Sequence, residues 1–198
     1  MLQILQPFGQ KTGPISAIIG LGANLPSAAG GPEVTLHRAL TLLKSKDLHV
    51  ETVGRFYKTP CFPENSGPDY VNAVAILTAR LSAADLLSRL HEIETELGRE
   101  RVTRWGQRTL DLDLLAYGEV IRPDLTTFRH WMNLPLGEQM KEAPTQLILP
   151  HPRIQDRAFV LVPLAEIAPE WRHPVLGCTA TQMRDELDPA DVAQVKPL

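Results

Sequence analysis

Cysteine is scarce in this chain. Only Cys61 and Cys178 occur in 198 residues, and they sit too far apart for any zinc or redox spacing. That excludes a disulfide framework and a thiolate metal centre, and suits two small side chains in a reducing compartment. A surplus of either charge is also missing. Twenty Lys and Arg against 23 Asp and Glu leave a net charge of −3, whereas general nucleic-acid binders carry a marked basic excess. No apolar run reaches the length of a bilayer span. Residues 12–32 carry no charge and follow Lys11, as a secretion signal would, but Gly20, Gly22 and Asn24 interrupt the apolar stretch. The expectation is therefore a cytoplasmic protein without a membrane or nucleic-acid partner.

The familiar nucleotide and metalloprotease signatures are missing too. Gly20-Leu21-Gly22-Ala23-Asn24-Leu25 opens like a dinucleotide fingerprint, but Leu25 stands at the third glycine position and Pro26 follows where a helix should start. There is no Walker sequence. His91-Glu92 begins like a zinc-protease helix, and Thr95 then occupies the place of the second histidine.

What is present is an ordinary globular pattern, 43% hydrophobic, long enough for one self-sufficient core. Residues 1–14 read as a loose leader. Residues 15–188 read as one domain with an insertion at about 122–146, and 189–198 as a C-terminal tail. Ser16 to Leu21 is a buried strand closed by turn residues. Leu36, Leu40 and Leu43 set a helix over Glu33–Leu43. His49–Lys58 and Tyr70–Leu81 read as strands either side of a proline-rich loop. Ser82 and Asp85 start a helix whose stripe is Leu86, Leu90, Ile93 and Leu97, and Gly98 ends it. Thr109–Tyr117 alternates as another strand. Weak helical hints follow over 122–146, then a helix around Phe159, Leu164 and Ile167 that Pro163 should interrupt or delay. Thr179 and Gln182 form a capping box for a last helix to about Leu187. The order β-α-β-β-α-β predicts an α+β, ferredoxin-like core, an antiparallel sheet with helices on one face plus extra C-terminal helices.

Chemistry concentrates between Arg99 and Asp113. On a strand, Asp111 and Asp113 share a face while Leu110, Leu112 and Leu114 point into the core. Paired carboxylates repel unless something positive lies between them, and such hard oxygen donors suit Mg²⁺. By spacing alone, a solvated acidic strand face fits better, because Asp-x-Asp is a common pattern. The flanking stretch holds Arg99, Arg101, Arg104 and Arg108 with Glu100 as its only acid. Guanidinium forks match phosphate oxygens, so arginines beside a cation site point to polyphosphate handling. Trp105 is unusual in so polar a run and suits a loop that closes over a nucleotide. A second cluster, His151, Arg153, Arg157 and Phe159, adds donors. Tyr70, Asn72 and Phe159 offer flat surfaces and an amide for a small aromatic ring, or plain core packing.

These residues resemble the 6-hydroxymethyl-7,8-dihydropterin pyrophosphokinase family. The resemblance rests on Gly20 to Leu25, Phe56-Tyr57-Lys58-Thr59-Pro60, Pro68-Asp69-Tyr70-Val71-Asn72-Ala73, Arg104 to Asp113, and Pro150 to Leu164. It implies transfer of diphosphate from ATP to the pterin hydroxymethyl group in folate synthesis, by a monomer. It further implies two Mg²⁺ ions on Asp111 and Asp113, with Arg99, Arg101 and Arg108 as catalytic partners. ATP would be gripped by Glu94, Arg99, Arg101, Trp105, Arg108, His151 and Arg157. The pterin would lie between Tyr70 and Phe159, with Thr59 and Asn72 on its polar edge and Phe62 and Trp105 nearby. This sequence departs from the family at Ala23, where many members have Ser, and in the length of 122–146. The added length leaves the equivalence of Gln146, Leu147 and Ile148 to adenine-contacting positions unfixed. Two other classes fit parts of the pattern. A different Mg²⁺-dependent phosphoryl or nucleotidyl transferase would leave Tyr70, Asn72 and Phe159 dispensable. An RNA-binding ferredoxin-like module would want an aromatic pair on a central strand and a basic surface.

Overall fold

The computed structural model describes residues 13–61, 67–99, 108–139 and 141–198. Strand β1 (Ile15–Ala23) is apolar at nearly every position because it is covered from both sides. Ala17, Ile19, Leu21 and Ala23 enter one core, while Ile18 enters a second. Helix α1 (Pro32–Leu43) follows, with proline in its first turn, where no N–H is needed, and Leu36, Ala39, Leu40 and Leu43 buried.

The single strand expected over His49–Lys58 is two strands, β2 (Leu48–Val53) and β3 (Tyr57–Thr59). The break falls at Gly54, whose N–H donates to the Val74 carbonyl at 2.9 Å. A Cβ at Gly54 would meet that same carbonyl oxygen at 3.3 Å, so the close approach suits glycine. Both strands pair with β4 (Tyr70–Ala79). Helix α2 (Ala83–Glu96) starts where expected, the Ser82 hydroxyl accepting from the Asp85 N–H, and Leu86, Leu90 and Ile93 are buried. Gly98 closes it at φ +82°, in the left-handed region. Strand β5 (Asp111–Tyr117) completes the core order.

Segment 122–146 holds α3 (Leu125–Met132) and α4 (Leu136–Gln139). Asp124 caps α3, and Phe128, fully buried, seats it against the His173 ring. Helix α5 (Ala158–Ile167) runs through Pro163 instead of being interrupted by it. Proline there forfeits one helical bond, to the Phe159 carbonyl, while Val160, Leu161, Leu164 and Ala165 are all buried and hold the helix down. The capping box of α6 (Ala180–Asp185) is complete, with Thr179 and Gln182 each accepting from the other's backbone N–H.

The last ten residues, expected to be a tail, form α7 (Pro189–Ala193) and β6 (Lys196–Pro197). β6 pairs antiparallel with β3, and the Leu198 N–H donates to the Phe56 carbonyl at 2.9 Å. The sheet order is β5-β1-β4-β3-β6, with β2 also on β4, and every pairing is antiparallel. Helices α1 and α2 pack on one face, as the ferredoxin-like pattern requires. The extra helices α5 and α6 cover the other face, against Ile18, Val74, Leu115 and Ala116. No helix among the described residues is long and apolar enough to cross a membrane.

Candidate functional site

Register brings the chemistry together. Gly22 of β1 stands opposite Asp111 of β5 on one side and Asn72 of β4 on the other, and Gly20 stands opposite Asp113. Directly paired residues share a face of the sheet, so carboxylates, glycines and amide form one surface. A Cβ at Gly22 would lie 2.8 Å from Asn72 Oδ1. The two glycines therefore serve as the floor of a cavity of about 910 Å³, which Asp111, Asp113, Asn72, Tyr70, Thr59, Arg108, His151, Arg157 and Phe159 also line. The failed dinucleotide fingerprint thus has a different cause, a strand surface stripped of side chains.

On the β5 side a charged network is built outward from the core. Glu94 of α2 is 1% exposed. Its Oε1 accepts the Leu112 N–H at 2.7 Å and is paired with Arg99. Arg99 also reaches Asp111 Oδ1 at 2.7 Å, and Arg108 reaches Asp111 Oδ2 at 2.5 Å. Asp113 faces Arg157 at 3.6 Å. Burial, and next the charge of Asp113, push the Asp111 carboxyl above its ordinary range, while Arg108 and Arg99 pull it down. A cation between the two carboxylates would relieve that repulsion. Two adjacent carboxylates opening on a cavity with room for phosphate and water suit Mg²⁺, which commonly shares its ligands with substrate. Among the described residues no group of three or more His, Cys, Asp or Glu could form an all-protein cage.

The Arg108 end is held by Asn24. Its Oδ1 accepts the Arg108 N–H at 2.8 Å, its Nδ2 donates to the Pro68 carbonyl at 3.1 Å, and its backbone N–H reaches the Arg108 carbonyl at 3.0 Å. Asn24 is buried and joins β1, the 67–69 turn and the approach to β5.

On the β3–β4 side, Asn72 Nδ2 donates to Thr59 Oγ1 at 2.7 Å, both side chains buried. Tyr70 and Phe159 flank this part of the cavity. Burial pushes the Tyr70 hydroxyl above its usual value, with Arg108 opposing, so the phenol stays neutral. Arg157 lies over the Phe159 ring, 5.6 Å from its centroid. Burial and then the Arg157 charge hold the His151 imidazole down at about 3, so this ring is a neutral hydrogen-bonding group at neutral pH.

Of the residues singled out in the sequence, Thr59, Tyr70, Asn72, Arg108, Asp111, Asp113, His151, Arg157 and Phe159 meet at one cavity. Arg99 joins it through Asp111. Glu94 stands behind it, facing the Leu112 N–H and Arg99 rather than the cavity. Phe62, Arg101 and Trp105 lie outside the described residues. Arg153 of the second cluster lines the cavity as well, while Asn24 beside it and the lining residues Asp191, Gln194 and Val195 were not expected.

A family model described as 7,8-dihydro-6-hydroxymethylpterin-pyrophosphokinase (HPPK) matches residues 18–169. A Synechocystis protein named 2-amino-4-hydroxy-6-hydroxymethyldihydropteridine pyrophosphokinase is 37% identical over 183 residues, 91% of this chain and 80% of its own length. A Haemophilus influenzae protein of the same name is 40% identical over 156 residues, 78% of this chain and 82% of its own. Among solved structures, wild-type Plasmodium falciparum HPPK-DHPS superposes with a TM-score of 0.60 at 14% identity, over 90% of this chain and 45% of that one. The same protein with pteroate gives 0.63 at 13%, over 89% and 45%. This chain spans less than half of that longer protein, and at such identity the likeness speaks for the fold.

Proposed function

The chain belongs to the 7,8-dihydro-6-hydroxymethylpterin-pyrophosphokinase family and is an ATP-using pyrophosphokinase of folate biosynthesis, and we propose that its β1 cavity moves a diphosphate from ATP to the hydroxymethyl group of 6-hydroxymethyl-7,8-dihydropterin. One observation carries this assignment. Paired carboxylates with arginines, and an aromatic pair with a buried amide, stand over a single glycine floor.

On the nucleotide side, Asp111 and Asp113 would hold two Mg²⁺ ions, which would supply positive charge to neutralise the triphosphate. Arg99, Arg108, Arg157 and His151 donate to phosphate oxygens. Arg101 and Trp105, from the stretch before Arg108, complete the grip. Glu94 acts through Arg99, which it fixes next to Asp111. On the acceptor side the pterin stacks between Tyr70 and Phe159, with Thr59 and Asn72 reading its polar edge and Phe62 nearby. The acceptor hydroxyl oxygen attacks the β-phosphorus in line. The new O–P bond forms as the bond to the α-phosphate bridging oxygen breaks, AMP leaves with that electron pair, and the hydroxyl proton is released to solvent. Acceleration comes from alignment of the two substrates and from the arginines that meet the shifting charge. The protein works as a cytoplasmic monomer, and Cys61 and Cys178, which form no disulfide with each other, suit a reducing compartment.

The test is AMP release from ATP and Mg²⁺ with and without the pterin. AMP formed only with the pterin, in equal amount to a pterin diphosphate, supports the assignment. Well-folded protein that gives no pterin-dependent AMP sinks it.

A further inference from the structure

Arg153 joins segment 122–146 to the cavity. The Arg153 guanidinium donates to the Met132 carbonyl at 2.7 Å and the Leu134 carbonyl at 3.2 Å, and pairs with Asp156 at 2.8 Å. Met132 is the last residue of α3, where carbonyls have no partner within the helix and carry the negative end of its dipole. A guanidinium fork can meet two such carbonyls at once. Helix α3 is itself immobilised by fully buried Phe128. Arg153 lines the cavity, yet its charge is directed to the inserted segment.

The backbone of Arg153 extends this link inward. Its N–H donates to His151 Nδ1 at 3.1 Å, while the His151 N–H donates to the Leu115 carbonyl of β5 at 2.7 Å. An Nδ1 that accepts carries no proton, so the neutral ring keeps its proton on Nε2 as the donor available to a ligand. Arg157 follows after the single turn Ile154–Asp156. We propose that Arg153 is a positioning residue, through which the 122–146 segment sets the His151–Arg157 turn for the triphosphate. The proposal rests on the nucleotide-side assignment above. Arg153 does not bind phosphate itself. It fixes the residues that do.

The test uses the full chain and the variants Arg153→Leu, Arg153→Lys and Phe128→Ala. In each, KM for ATP, KM for the pterin, kcat and thermal stability are measured. Affinity for Mg²⁺ with a non-hydrolysable ATP analogue is measured by calorimetry. Arg153→Leu should raise KM for ATP and weaken analogue binding by roughly tenfold, the scale of one lost charge-assisted hydrogen bond, and leave KM for the pterin as it was. Lysine keeps the charge and its donors but lacks the fork that spans both carbonyls, and should recover part of the loss. Phe128→Ala loosens α3 without touching the cavity and should reproduce the ATP-selective change. The double variant should then lose less than the sum of the two. Equal rises in both KM values, unchanged analogue affinity in Arg153→Leu, or additive losses in the double variant would overturn the role. Calorimetry needs no turnover, so a failed pterin reaction and a failed Arg153 role give different results.

Discussion

Gly22 and Asn72 face each other across the β1–β4 pairing so closely that a single methyl group on Gly22 would sit 2.8 Å from Asn72 Oδ1. Asn72 in turn holds Thr59 at 2.7 Å. Gly22→Ala should displace the amide, break that bond and raise KM for the pterin about tenfold or more, the cost of disturbing a buried hydrogen bond. Affinity for ATP should change less. Steady-state kinetics with each substrate varied in turn would check this, and unchanged pterin KM would mean the floor has room to spare.

Asp111 and Asp113 stand two positions apart on β5, but among the described residues only Asp111 is bound by two arginines. Asp111→Ala and Asp113→Ala should each lower kcat on the order of 10²–10³-fold, as removal of a main electrostatic element does. Near-normal turnover at saturating Mg²⁺ would remove that residue from the metal site.

Glu94 is buried, and its Oε1 meets both Arg99 and the Leu112 N–H. Glu94→Ala should destabilise the fold by about 3 kcal/mol, the scale for leaving one partner of a buried pair uncompensated. Urea unfolding measures it directly. A midpoint equal to that of the unchanged protein would show the pair to be energetically idle.

His173 is enclosed by Phe128 and Trp171, and its Nδ1 accepts the N–H groups of Val175 and Leu176 at 3.2 Å each. Burial lowers its pKa from 6.5 to about 4. The folded state therefore binds fewer protons than the unfolded chain between those values. Stability should be fully present above about pH 6.5 and be lost as pH falls toward 4, by on the order of 3 kcal/mol in all. His151 acts in the same direction. The contribution of His173 is therefore isolated with His173→Asn, whose amide oxygen still accepts but does not ionise. Thermal midpoints of that variant should fall less between pH 7 and pH 4.5 than those of the unchanged protein, and equal falls would exclude His173 as a source of acid sensitivity.

The helices and core strands were legible because their signals are local. The Leu86, Leu90, Ile93 stripe, the Ser82 cap and the alternation through Asp111 and Asp113 each occupy one short window, and the structure forms each of them. The break at Gly54 was hidden because it answers to Val74, twenty positions away on a neighbouring strand. Pro163 was overestimated as a breaker, since a buried apolar helix tolerates one missing bond. The site divides in the same way. Carboxylates and arginines announced themselves by clustering, whereas Asn24 and Arg153 act through carbonyls and N–H groups far along the chain, which no side-chain pattern records.

The final helix and strand carry a practical consequence for inhibitor chemistry. Asp191, Gln194 and Val195 line the cavity, yet they lie beyond residues 18–169, the span matched by the family model. A compound confined to the glycine floor would meet only groups inside the span that the family model matches. One extended to Asp191 and Gln194 would also touch polar atoms outside the span that the family model matches, without disturbing the groups assigned to diphosphate.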